Sequence, residues 1–166
     1  TAPALPAPPP PGQPPPPGAP VITQAYASPQ LRPGETWRVY LVANDVQGEM
    51  MNIVSRVDQP GVGTYQVSIT RIEPEMAKEL NGFLYLATSA AARLHNVSLT
   101  LTVQIHDRQG RYSAPAVFNL VLNDTYQQEA PPPGVFREVD LGPIMIPVHG
   151  LRERGMGPSL FSPGMR

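Results

Sequence analysis

Apolar and polar side chains alternate with period two through most of the middle of the chain. Trp37, Val39, Leu41 and Ala43 alternate with Arg38, Tyr40, Val42 and Asn44, and Tyr65, Val67 and Ile69 alternate with Gln66, Ser68 and Thr70. The longest run sets Val97, Leu99, Leu101, Val103 and Ile105 against Ser98, Thr100, Thr102, Gln104 and His106. Successive side chains of a strand point to opposite faces, so this pattern predicts strands with one buried face. A further strand is expected over Val117 to Leu122, with Phe118, Leu120 and Leu122 on one side. Val21–Tyr26, Glu49–Val57 and Phe83–Thr88 complete a set of about seven. Only Pro74–Leu80 looks helical, for a turn or two.

The breaks between these runs carry turn chemistry. Pro33-Gly34, Pro60-Gly61 and Asn81-Gly82 punctuate segments. Asp45-Val46-Gln47-Gly48 and Asp107-Arg108-Gln109-Gly110 each separate two strand patterns by four residues. Asp suits the start of such a turn, and Gly the position that requires positive φ. Strands at this spacing with no long helical insert predict an all-β fold, a single antiparallel β-sandwich spanning residues 21–124.

Composition adds an arm on each side. Of the 23 prolines, eleven fall within the first twenty residues. Such a run favours polyproline II at about 3.1 Å per residue, so residues 1–20 are expected to be a stiff spacer reaching about 60 Å. Its PxxP spacings also fit a ligand for an aromatic groove, although any run this dense contains them by chance. Residues 125–166 are expected to form an extended Pro/Gly/Met-rich tail. Within it, Leu141, Ile144, Met145, Ile146 and Val148, then Leu160 and Phe161, are placed to dock on a partner chain by edge-strand addition or groove filling. The alternative is that this piece folds back on its own sandwich.

The run LRPGETWRVYLVANDVQGEMMNIVSRV, with VSLTLTVQIHDRQGRYSAPAVFNLVL after it, resembles bacterial immunoglobulin-like domains. The features that carry the resemblance are Pro33-Gly34, Asp45 to Gly48, and Asp107, Gly110, Ser113 and Pro115. It implies an immunoglobulin-like sandwich over about Ile22 to Asn123 and says little about function. The antibody-type cysteine pair is missing, because the chain has no cysteine.

The same sequence narrows the chemistry. Net charge is −1, and no basic stripe marks a nucleic-acid surface. No apolar run approaches the length of a membrane helix, so at most a peripheral association with a membrane complex is expected. Thr1 opens directly into prolines, without the charged and apolar regions of a signal peptide, so a cytoplasmic or an already trimmed chain is expected. The resemblance and the proline spacer favour a periplasmic or extracellular setting.

His106 beside Asp107 invites a catalytic or metal reading, but neighbouring strand residues face opposite ways. His95 and His149 stand apart from it. Asp45, Asp58, Asp107 and Asp124 sit at predicted strand ends, without the dense pairing of calcium sites. Glu73, Glu75 and Glu79 lie around Lys78 on predicted surface, and Ser113 has no evident base. Asn96-Val97-Ser98 and Asn123-Asp124-Thr125 match the glycosylation sequon. No enzyme, cofactor or metal is therefore expected. The leading expectation is a structural or accessory subunit whose two arms contact other protein subunits of a larger assembly. The alternative is a carbohydrate- or other ligand-binding module, for which Tyr26, Tyr40, Tyr85 and Tyr112 are the candidate aromatic platform.

Overall fold

The computed structural model describes residues 14–88 and 96–146. The longest strands are β1 (Val21–Ala27), β3 (Thr36–Asn44), β4 (Met50–Gln59), β7 (Glu79–Ala87), β8 (Val97–Asp107) and β9 (Ala116–Leu122). Shorter ones are β2 (Gln30–Leu31), β5 (Gly63–Thr64), β6 (Ser68–Arg71) and β10 (Asp140–Pro143). The segment expected to be helical is one 3-10 turn, Pro74–Met76, and Glu79 and Leu80 already belong to β7. No helix among the described residues is long and apolar enough to cross a membrane.

Two sheets result. One runs β1-β3-β7-β10; the other runs β2-β9-β8-β4-β5, with β6 also paired to β4. The expected all-antiparallel pattern is corrected twice, because β2 pairs with β9 in parallel and β10 pairs with β7 in parallel. The first case arises because the chain leaves one sheet at Ala27, passes Ser28 and Pro29, and rejoins the other without reversing. The second arises because the chain doubles back before reaching the edge of β7. Short β2, β5 and β10 account for the excess over the seven strands that alternation predicts.

Both sheets turn their apolar faces to one core. Trp37, Val39, Leu41 and Ala43 from β3 meet Leu99, Leu101, Val103 and Ile105 from β8 in a single cluster, each of them buried. Each large apolar side chain removed from water there contributes about 1.5–3 kcal/mol, and with no disulfide the core rests on this packing. Trp37 also satisfies its polar atom, with Nε1 donating to the Ser28 carbonyl at 2.9 Å.

On β6 the expected faces are reversed. Val67 and Ile69 are exposed, while Ser68 and Thr70 are buried. Register decides this: Thr70 pairs with inward-facing Ile53, and Ile69 pairs with Val54 on the outer face. Alternation alone gives two faces of a strand and leaves open which one is inside.

Candidate interaction surface

Two ends of the sheets can be distinguished. At the turn end lie the two Asp-x-x-Gly turns, brought together because β4 and β8 pair from Met50 and Asp107 onward. Each aspartate caps its own turn. Asp45 accepts from the amides of Gln47 and Glu49 at 3.0 and 2.9 Å; Asp107 accepts from those of Gln109 and Arg111 at 2.9 and 2.8 Å. Gly48 and Gly110 both take positive φ, as the turns require.

Arg111 joins these turns to the proline arm. Its Nε donates to Asp107 Oδ2 at 2.7 Å, and its Nη2 to Gln47 Oε1 at 2.7 Å and Glu49 Oε2 at 3.3 Å. Its Nη1 donates to the Pro17 carbonyl at 3.2 Å. Gly18, at φ 81°, sits so close that an added Cβ would lie 2.4 Å from Nη1. The root of the proline arm is thus held at one point, where a turn closed by the Ala19 amide on the Pro16 carbonyl leads into β1. The expected spacer over Thr1 to Gln13 lies outside the described residues.

The C-terminal segment behaves differently. It leaves β9 at the far end and first completes the edge that β1 abandons at Ala27. The Gln128 side chain accepts from the Arg38 amide at 3.0 Å and donates to the Thr36 carbonyl at 2.9 Å, replacing ladder bonds that β1 no longer supplies. The segment then crosses the outer face of the four-stranded sheet. There Phe136 packs on Tyr40 with ring centroids 5.5 Å apart, and Tyr40 donates to the Glu138 carboxylate at 3.0 and 3.2 Å. Burial, with Arg38 partly opposing and Glu138 adding to it, pushes the Tyr40 phenol above its ordinary value. The Arg38–Glu138 pair at 3.1 Å is solvent-exposed and contributes at most about 1 kcal/mol.

The chain next turns back along the free edge of β7. The Phe83 amide donates to the Val139 carbonyl, β10 pairs with Phe83 to Tyr85, and the Ile144 amide donates to the Tyr85 carbonyl at 2.8 Å. On the other side, Thr70 donates to the Pro143 carbonyl at 3.4 Å, and the Met145 amide donates to Ser68 Oγ at 2.9 Å. The buried hydroxyls of β6 are therefore the partners of this strap. It bridges β7 of one sheet to β6 of the other and closes the side of the core.

Of the residues expected to dock on a partner, Ile144 and Ile146 are buried in this chain's own core, at 4% and 5% exposure. Leu141 packs half-buried against that core, and Met145 points outward at 74% exposure. This is a correction for Ile144 and Ile146: alternation along the strap turns them inward, into a gap the two sheets leave open, so the alternative of folding back holds at these positions. Val148, Leu160 and Phe161 lie outside the described residues, as do His95 and His149.

The remaining candidates do not converge. Tyr40 and Tyr112 are buried and cannot form an exposed platform; Tyr26 and Tyr85 are half-buried. A cleft of about 520 Å³ beside the strap is lined by Arg38, Tyr40, Glu35, Glu129 and Glu138, with Arg38 already engaged by Glu138. His106, which the alternation sets on the polar side of its strand, is buried against Tyr112 at 4.8 Å, and neither ring nitrogen has a hydrogen-bond partner. Ser113 Oγ accepts from the Ile105 amide and donates to the Ala114 carbonyl, which makes it a strand-end fastener. The sequon side chains of Asn96 and Asn123 bond each other at 2.6 Å. Among the described residues, no group of three His, Asp or Glu side chains gathers to hold a metal ion.

The sequence did not single out Arg111, Gln128 or Glu138. Apart from Asp107, four positions from Arg111, their partners lie roughly sixty to a hundred positions away, beyond the reach of local spacing. No family model matches this chain, and no curated protein matches it at a significant level.

Proposed function

We propose that this chain is a non-enzymatic structural subunit of a larger protein assembly, an immunoglobulin-like block that holds two extended arms at opposite ends. The observation that carries this reading is where the arms join. The proline arm meets β1 at the turn end, where Val21 pairs with Asn44, whereas the strap runs out along β7 toward the far end. A chain that enters a block at one end and whose last described strand runs in the direction of the other suits a spacer-mounted connector.

Strand order supports the finer fold. In constant-type immunoglobulin domains, strands A, B, E and D form one sheet and C, F and G the other. Here β1, β3 and β7 match A, B and E, while β4, β8 and β9 match C, F and G. The position of D, beside E, is taken by β10 from the C-terminal strap, in the parallel direction. On this reading the tail supplies a strand the block itself lacks. Residues 147–166, together with exposed Met145 and the proline arm, are then left for other subunits.

The setting that goes with this reading is the bacterial cell envelope, periplasmic or extracellular, at most peripherally attached to a membrane complex and without nucleic acid. The test is isolation of the tagged full chain from its native cells under non-denaturing conditions, followed by native mass spectrometry. The reading predicts a stoichiometric complex with other chains, lost on removal of residues 1–13 or 147–166. A bare monomer in every preparation contradicts it.

A further inference from the structure

Most guanidinium groups in the described part either bond a carboxylate or stand alone, but Arg71 and Arg108 share one cavity. It measures about 280 Å³ and lies at the turn end of the six-stranded sheet, where β4, β6 and the turn after β8 meet. Asn52 is its other polar wall, and Met51, Ile72 and Pro74 supply an apolar side. Among the described residues, neither arginine side chain has a carboxylate or carbonyl partner, in contrast to Arg38, paired with Glu138, and Arg111, paired with Asp107 and Glu49.

Register explains the convergence. Arg71 pairs with Asn52 and Asn52 with His106, so the three occupy one cross-strand row on the outer face. The turn that carries Arg108 is tied to β4's approach by the Arg108 amide, which donates to the Glu49 carbonyl at 3.0 Å, and Arg108 lines the cavity with Asn52 and Arg71. The nearby carboxylates of Asp107 and Glu49 are already bonded by Arg111. Glu73 and Glu75 flank Pro74 at the rim, exposed, and neither pairs with Arg71 or Arg108. Two unneutralised cations facing one partly apolar cavity form a receptor for an anion.

The geometry points to a binding site for a tetrahedral oxyanion, phosphate or sulfate, carried on a small apolar body. One guanidinium fork matches the single edge of a planar carboxylate. Two forks arriving from separate elements can address separate edges of a tetrahedron. The apolar wall then receives the carrier. The Asn52 amide gives a neutral donor between the two charges, and His106 lies next in the row.

The test is an NMR titration of the uniformly labelled full chain with phenyl phosphate, phenyl sulfate, inorganic phosphate and benzoate. Saturable shifts are expected at Asn52, the Arg71 and Arg108 side chains and the His106 ring. Phenyl phosphate and phenyl sulfate are expected to bind more tightly than inorganic phosphate or benzoate. The Arg71→Gln/Arg108→Gln double variant removes two charge-assisted contacts and should weaken binding about tenfold or more. Arg32→Gln, at the far end, should leave it unchanged. Both cavity arginines are exposed, so an unchanged thermal melt is expected to show the fold intact. Non-saturating shifts, equal binding of benzoate, or indifference to the double variant would each overturn the assignment.

Discussion

The two ends of this chain have similar composition and opposite fates. Both are rich in proline and glycine, and neither carries a continuous apolar stretch that could form a core alone. Yet the described root of the N-terminal arm is fastened to Arg111 through the Pro17 carbonyl, whereas the C-terminal strap threads between the sheets and buries two isoleucines. Composition does not separate them. Alternation does: Ile144, Met145 and Ile146 place apolar side chains on one face with a single outward residue between them. The two sheets leave an open edge at β7 and β6 that fits such a segment. The polyproline run has few amide donors and no alternating face, so its sequence carries no strand pattern.

This contrast predicts an ordered series of effects. The largest belongs to the strap's core contacts: Ile144→Ala should cost about 2–5 kcal/mol, read as a lower urea midpoint. A similar loss for Ile146→Ala would show that the strap is part of the cooperative unit. Next comes Gly82→Ala. Its new Cβ would lie 2.4 Å from the Val139 carbonyl oxygen and 2.9 Å from the Leu141 side chain. A cost of about 1–3 kcal/mol is expected, together with faster hydrogen exchange at Ile144 and unchanged exchange at Leu101.

Arg111→Ala strips the buried Asp107 carboxylate of its guanidinium and the proline arm of its fastening. Asp107 keeps two amide donors, so the expected loss is about 1–3 kcal/mol. Its specific mark is increased motion of Gly18 and Ala19 in relaxation measurements, with the strap amides unaffected.

The smallest effect concerns pH. Burial pushes the His106 imidazole below its ordinary value of 6.5, with Asp107 partly opposing. The folded state therefore binds fewer protons than the unfolded one. The stability tied to a neutral ring is fully present above pH 6.5 and declines as pH falls below it. His106→Phe should flatten urea midpoints measured from pH 7.5 down to 5. An unchanged slope would count against a neutral buried ring.

How far the sequence carried these conclusions differs by element. The faces of β3 and β8 were legible because each strand contacts the core along its whole length, so alternation and burial coincide. The faces of β6 were not. Register against β4 turns Ser68 and Thr70 inward, and the strap supplies hydrogen-bond partners for their hydroxyls from about seventy positions away. The strap was legible as an apolar, strand-like segment, but its target was not, since an open edge exists only after the sheets form. A carboxylate at the start of a tight turn is consumed by that turn's amides, as at Asp45 and Asp107. The cavity between Arg71 and Arg108 had no sequence signal, because it depends on the register of β6 against β4.

The claim that the C-terminal strap is the domain's own strand can be tested most directly by hydrogen exchange on the isolated full chain. The account predicts that the amides of Phe83 and Ile144, which join β7 to the strap, exchange only with global unfolding, as slowly as those in the centre of β8. Exchange of Ile144 at the rate of an unstructured peptide, with β8 still protected, would contradict it and return the strap to the surface as a free docking arm.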